Sequence, residues 1–243
     1  MSGRMRDKQK IFHFKKFDVN HTESAMKVGT DGVLLGSWAE SENVNHILDI
    51  GTGCGLIALM LAQRFSKAKI TAIDIDKASA GEAKRNFSNS PWKDRLNSIV
   101  TSLQQFNGGP EKFDLIVSNP PYFNHGTSSP NTARHYARHI KSLSHPELLG
   151  ASSRLLSSEG KLCVIIPAYN QDIFMRTIPQ KDLYVHKRLH FYSRADKPCE
   201  RVLLQISKKK ASIIKEEALT HYTTDGSWSN AYKRLTQAFH PML

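Results

Sequence analysis

Phe113-Asp114-Leu115-Ile116-Val117-Ser118-Asn119-Pro120-Pro121-Tyr122 decides how the rest of the chain is read. Residues 113–117 form a short apolar, β-branched run without helical spacing, and Asn119-Pro120-Pro121 stops it abruptly. That pattern predicts a buried strand emptying into a rigid loop. In open α/β sheets a ligand sits beyond the carboxyl ends of the strands, so the loop falls where a site belongs. Two consecutive prolines remove backbone donors and fix the direction of the carbonyls they carry. The Asn119 side-chain oxygen and the Pro120 carbonyl then suit the two hydrogens of a planar NH2 group. An amine conjugated to a ring or a carbonyl is a poor nucleophile because its lone pair is delocalised. Two acceptors aimed at its hydrogens draw the nitrogen towards tetrahedral and free that pair. Tyr122, with Phe123 beside it, is placed to stack on the flat group bearing the amine. An Asx-Pro turn closing a core strand is the plainer reading of Asn-Pro alone.

Upstream, residues 46–50 read as the first clear strand, followed by Gly51-Thr52-Gly53-Cys54-Gly55 and an apolar helix over 56–62. A glycine-rich turn between strand and helix lets a ligand approach the backbone at a helix N-terminus. The next strand, 69–74, ends in Asp74, where a carboxylate accepts ribose hydroxyls. A dinucleotide dehydrogenase shares these features, but its fingerprint is G-x-G-x-x-G, and position 56 is Leu. Asp49 also stands inside the first strand, where a dehydrogenase is apolar, so that reading is set aside.

Residues 76–89 have helix-forming composition and 96–102 read as a third strand, which makes 113–118 the fourth in β-α-β-α order. Such alternation implies a parallel sheet with right-handed crossovers. A polar loop at 124–131, an amphipathic helix at 143–156 and a fifth strand at 160–167 follow, with Cys163 expected in the core. Residues 183–192 and 201–207 read as two more strands in an antiparallel hairpin at the sheet edge. Before the first strand, Thr30-Asp31 between Gly29 and Gly32 suits a helix N-cap or local turn, with a helix over 33–38.

The 243 residues suffice for one α/β domain with modest additions, and no apolar run approaches the ~20 residues that span a bilayer. Residues 1–16 are basic without an apolar core or small-residue cleavage site, so a cytoplasmic location is expected, as is a monomer. Three cysteines, Cys54, Cys163 and Cys199, lack any C-x-x-C pair, which speaks against disulfides and zinc. His135 and His139 share a helix face, but no Glu, Asp or Cys accompanies them at matching spacing, and no metal is expected. A net charge of +12 suits a partner that is a polyanion. Phosphate contacts are sought among Lys15, Lys16, Arg134, Arg138 and residues 208–210, three consecutive lysines.

The Asp49-x-Gly51-x-Gly53-x-Gly55 turn, Asp74 and Asn119-Pro120-Pro121-Tyr122 resemble a class I S-adenosylmethionine-dependent methyltransferase. Phe14-Lys15-Lys16-Phe17 and Met26-Lys27-Val28-Gly29-Thr30-Asp31-Gly32, with Lys197-Pro198 and Arg201-Val202-Leu203-Leu204, resemble more narrowly the bacterial valine tRNA adenine-N6-methyltransferase family. The match runs from about Phe12 to the C-terminal end. It implies a Rossmann-like α/β fold, a seven-stranded, mostly parallel sheet with an antiparallel edge strand and helices on both faces. One methyltransferase domain spans 1–243, with 1–45 as an extension capping cofactor and substrate.

The resemblance also implies S-adenosylmethionine as cofactor, held by the turn glycines Gly51, Gly53 and Gly55 with Asp49 and Asp74. Thr30 and Asp31 fall at its charged amino-acid end, and Asn119 near the reacting centre. Enzymes of this class place an acid against the cofactor's adenine after the third strand; here the residue is Ser102. Catalysis falls to Asn119, Pro120 and Tyr122. Substrate contact falls to Pro121, Tyr122 and Phe123 and to Lys15, Lys16, Arg134 and Arg138. The expected product is N6-methyladenine beside the anticodon of a valine tRNA. Ribosomal RNA or a glutamine amide in a protein would suit the same loop, and a non-catalytic RNA-binding protein on this fold is the reading from another class.

Overall fold

The computed structural model describes residues 11–24, 26–120 and 143–241. It opens with a short antiparallel ladder, β1 (Ile11–His13) and β2 (Asp18–Asn20), followed by α1 (Thr30–Trp38). The alternating part then runs β3 (His46–Ile50), α2 (Leu56–Arg64), β4 (Lys69–Asp74), α3 (Lys77–Ser88), β5 (Leu96–Val100) and β6 (Phe113–Ser118). After residue 142 come α4 (His145–Leu155), β7 (Leu156–Pro167), α5 (Gln171–Thr177), β8 (Tyr184–Arg194), β9 (Arg201–Ser207), β10 (Lys215–Tyr222) and α6 (Asn230–Thr236).

The main sheet has the order β10-β8-β9-β7-β6-β3-β4-β5. Strands β3 to β7 are parallel, as the alternation predicts. Three expectations are corrected here. The main sheet has eight strands among the described residues instead of seven. The β8–β9 hairpin is not the edge, because β10 pairs parallel with β8 beyond it. The antiparallel strand is β9, held inside the sheet between β7 and β8. The edge strand escaped notice because Lys-Glu-Glu-Ala-Leu-Thr-His-Tyr opens on charges, and an edge strand tolerates them where a central strand does not.

Alternate residues of the central strands enter opposite layers, as a period of two requires. Leu115, Val117, Cys163 and Ile165 face α1, α2 and α6, whereas Ile116, Val164 and Ile166 face α4 and α5. Cys163 is fully buried, as expected. α1 begins three residues earlier than predicted, with extended Gly29 at its N-cap and no side-chain cap. Its Gly36 lets it lie close on α2, since a Cβ there would stand 2.6 Å from the Met60 sulfur.

The C-terminal residues close the first layer through rings. His221 stacks on Tyr222 at 3.9 Å and meets Tyr232 at 4.0 Å, while Trp228 meets His240 at 4.7 Å. Burial, helped by the charge of His240, pushes the His221 pKa down to about 4, against a small opposing effect of Glu200. Burial also lowers His240. A histidine whose folded pKa lies below its ordinary 6.5 binds fewer protons folded than unfolded in that window. Stability is therefore full above about 6.5 and falls as pH drops towards about 4. The urea midpoint is expected to be lower at pH 5 than at pH 7.5, with a smaller gap in His221→Phe; an equal gap in both proteins would contradict this account.

Candidate functional site

At the carboxyl end of β3 the chain turns through Gly51 and Gly53, at φ of +71° and +56°, conformations that suit glycine. A Cβ at either position would meet nothing within 4 Å, so open space lies against this backbone. The turn is fixed from below. Gly51 and Thr52 donate their N–H groups to the Ile73 carbonyl, and Gly53 donates to Asp74 Oδ2 at 2.8 Å. Asp74 Oδ1 accepts the Asp76 N–H at 2.9 Å, so its carboxylate is oriented at the end of β4. Gly55 serves differently from the other two: its φ is +85°, and a Cβ would lie 2.5 Å from the Phe87 ring, so it packs the turn on α3.

Asp49 lies beneath the turn, fully buried. Its Oδ2 accepts the Thr52 hydroxyl at 2.7 Å, while Oδ1 is buried without a hydrogen bond among the described residues. Burial raises its pKa from 3.8 to about 7; the Thr52 hydroxyl and the Ala58 amide oppose the rise, and the charge of Asp74 adds to it.

The open space is a cleft of about 430 Å³. One wall is 51–54 with Leu56 and Ile57; the other is Met26, Lys27 and 29–32, which include Thr30 and Asp31. Asn119 and Arg201 complete it. Asn119 is held there by its neighbour, since the buried Ser118 hydroxyl donates to the Ile50 carbonyl at 3.0 Å and clamps the end of β6 to that of β3. Sequence reasoning overlooked Arg201 as a site residue. Its Nε donates to Asp31 Oδ2 at 2.9 Å and its Nη1 to the Glu200 carbonyl at 3.0 Å, tying β9 to α1 across the cleft. The signal was a charged residue opening an apolar strand, which by itself names no partner.

The wall formed by 26–32 is anchored by a second feature with no local signature. Glu82 of α3, 1% exposed, accepts the N–H groups of Thr22, Glu23 and Ser24 at 2.7, 2.9 and 2.9 Å. Asn86, one helical turn on, accepts the Asn20 N–H and donates to the carbonyls of Asn20 and Cys54. The N-terminal segment and the glycine turn thus share one helix as their support.

The structure thus gathers Thr30, Asp31, Gly51, Gly53 and Asn119 around one cleft, with Asp74 and Asp49 attached to its floor. Ser102 is not among the lining residues; it sits in the turn after β5, where its Oγ accepts the Gln105 N–H at 3.3 Å. Pro120 is buried. Lys16 is exposed, and the Lys15 ammonium donates to the Gln237 carbonyl at 2.7 Å. Lys208 and Lys209 lie at the far end of β9 from Arg201, on the Leu156 carbonyl and on Glu159, so the three-lysine run is remote from the cleft. Pro121, Tyr122, Phe123, Arg134 and Arg138, the 124–131 loop and the histidine pair lie outside the described residues. Among the described residues no cluster of potential metal ligands occurs, and no helix is long and apolar enough to cross a membrane.

Residues 23–173 match the model of the methyltransferase small domain. A tRNA1(Val) (adenine(37)-N6)-methyltransferase of Bacteroides thetaiotaomicron is 44% identical over 231 residues, covering 95% of this chain and 97% of that protein. The protein of the same name in Vibrio parahaemolyticus is 41% identical, with 95% of each chain covered. Among solved structures, a predicted O-methyltransferase of Agrobacterium tumefaciens superposes with a TM-score of 0.65 over 86% of this chain and 96% of its own, at 18% identity, a likeness of fold.

Proposed function

Since the chain belongs to the tRNA1(Val) (adenine(37)-N6)-methyltransferase family, we infer that it transfers a methyl group from S-adenosylmethionine to the N6 amine of the adenine at position 37 of a valine tRNA. The observation that carries this reading is that Asn119 opens into the same cleft as the glycine turn. A group able to hold an amine and a turn suited to a nucleoside cofactor thereby face one space. The cytoplasm, where tRNA is found, is the setting this reaction requires.

The residues present fit the cofactor. Gly51 and Gly53 leave backbone bare beside the cleft, Asp74 offers an oriented carboxylate for ribose hydroxyls, and Asp49 holds a buried oxygen that lacks a partner among the described residues. S-adenosylmethionine supplies, when bound, a methyl group on a positively charged sulfur. Thr30 and Asp31 would face its amino-acid end from α1, and 1–45 act as a cap, a role supported by Met26, Lys27 and residues 29–32 in the lining. Ser102, turned to its own backbone, serves the adenine end weakly.

Asn119 and the Pro120 carbonyl accept the two hydrogens of the target amine, and Tyr122 stacks on the base with Pro121 and Phe123 beside it. The amine attacks as a neutral nucleophile, and its proton leaves to water once the bond has formed. Catalysis is then positioning and polarisation, and no side-chain base is required. Lys16, Arg134 and Arg138 are assigned to the tRNA backbone; Lys15 is assigned there too, although its ammonium also ties the N-terminal ladder to residue 237.

Asp49 makes cofactor binding depend on pH. Its folded pKa is raised, so the stability it contributes is full below about 4 and is lost as pH rises through about 7. A cationic ligand above it, with Asp74 as the other nearby charge, favours the ionised form. Affinity for S-adenosylmethionine is expected to climb by up to ~10-fold per pH unit below 7 and level above it. Calorimetric titration from pH 5.5 to 8.5 checks this; Asp49→Asn should bind with a flat profile, and a flat wild-type profile would refute the role. The reaction itself is tested by labelled methyl transfer into cell extract. The labelled product should be destroyed by ribonuclease and survive protease, whereas the opposite pattern would move the substrate to a protein amide.

A further inference from the structure

Four groups already described stand on four strands of one sheet, and their order separates the cofactor's part of the cleft from the substrate's. Asp74 ends β4, the glycine turn follows β3, Asn119 follows β6, and Arg201 opens β9 beyond β7. Adjacent strands lie about 4.8 Å apart, so Arg201 is carried about 10 Å past Asn119, on the side away from Asp74. A cofactor spanning from Asp74 past the glycine turn to Asp31 occupies the β4-β3-β6 part and ends against the Asp31 side of the Asp31–Arg201 pair. Among the described residues, the stretch from Asn119 to the other side of Arg201 then faces the molecule that brings the amine.

That remaining part has a raised far wall. Ser118 pairs with Val164, and β7 then continues through 165–167, paired with 201–203 of β9. At about 3.3 Å per residue the two strands stand about 10 Å above the level at which β6 releases Asn119. The Ala168 N–H donates to the Glu200 carbonyl at 3.0 Å, which joins the turn after β7 to the β8–β9 connection. On top of this wall Tyr169 is 62% exposed. Arg201 points from the wall into the cleft, as its bond to Asp31 and its place among the lining residues require.

We propose that Arg201 binds a backbone phosphate of the extruded target nucleotide, and so selects a nucleotide over other carriers of a planar amine. This rests on the nucleic-acid reading given above. A nucleotide whose amine meets Asn119 carries its phosphate on the far side of the sugar, across the base from that amine. A guanidinium is the group suited to meet it, since its planar fork of donors matches phosphate oxygens. Asp31 and the Glu200 carbonyl hold the guanidinium through Nε and Nη1, so the fork is oriented before substrate arrives. A peptide amide held at Asn119 brings no anion to that place.

Arg201→Gln, which removes the charge and keeps the length, is compared with wild type in three measurements. These are binding of a fluorescent valine-type anticodon stem-loop across a salt series, affinity for S-adenosylhomocysteine, and the thermal midpoint. The expected result is weaker RNA binding by about 10-fold or more, as for loss of a charged hydrogen bond, with cofactor-product affinity unchanged. The slope of log affinity against log salt should also flatten by about one phosphate contact. Arg201→Lys should recover the slope and only part of the affinity, because it restores charge without the fork. A weaker S-adenosylhomocysteine complex with unchanged RNA binding would assign Arg201 to the cofactor and overturn the proposal. A lowered midpoint with an unchanged salt slope would reduce Arg201 to a tie between α1 and β9. Wild-type protein that binds no RNA would end the nucleic-acid reading underneath, a failure distinct from that of Arg201.

Discussion

Replacing Asn119 by alanine is expected to lower turnover at least ~10-fold while leaving cofactor binding intact, the scale of losing one positioned hydrogen-bond partner of a reacting group. Asn119 is the residue of the loop after β6 that lines the cleft among the described residues, and its amide oxygen is the acceptor assigned to the amine. Without it the amine keeps its planar, delocalised lone pair, and the Pro120 carbonyl polarises a single N–H. The glycine turn, Asp74 and Asp49 are untouched, because the bonds that fix them run to Ile73, Gly53, Asp76 and Thr52. Single-turnover rates with saturating tRNA, set beside calorimetric titration of S-adenosylhomocysteine, check the split. Wild-type turnover in the variant would remove Asn119 from the mechanism.

Glu82→Ala should act far from the reacting atoms and still weaken cofactor binding. The buried carboxylate gathers three successive N–H groups of residues 22–24, and one of them, that of Ser24, is itself buried. Truncation leaves these donors without an acceptor, at about 1–3 kcal/mol for a buried one. The segment they hold leads directly into 26–32, the wall opposite the glycine turn. The variant is expected to lose about 3 kcal/mol of stability to urea, and S-adenosylhomocysteine affinity should drop by ~10-fold, since the cap then opens by local unfolding. Unchanged affinity in a destabilised variant would separate the anchor from the site, and unchanged stability would contradict the anchor itself.

How far the sequence carried this account depends on how local each feature is. β3, β4 and β6 have the boundaries read from it, because a strand covered on both faces is a mostly apolar run, here closed by Gly, Asp or Asn-Pro. Once those strands alternate with helices, parallel pairing puts the glycine turn and Asn119 at one end of the sheet, so the heart of the cleft was legible too. β10 was not, since Lys215, Glu216 and Glu217 give its first turn of sequence a helix-like composition and only its edge position accommodates them. Nor were Glu82 and Arg201. Each acts through partners about 60 and 170 residues away, and no spacing rule links a helix glutamate to a loop, or a strand's first residue to a distant helix. Composition also could not place the basic run at 208–210, which strand direction carries to the end of β9 away from the cleft.

Methyl transfer to one adenine amine of tRNA is read out on two RNA transcripts with labelled S-adenosylmethionine. One is an unmodified valine tRNA with adenine at position 37, and the other differs only in carrying guanine there. After digestion to nucleosides, label in N6-methyladenosine from the first transcript and none from the second is the predicted result. Equal labelling of both, or label in neither while extract protein is methylated, would contradict it.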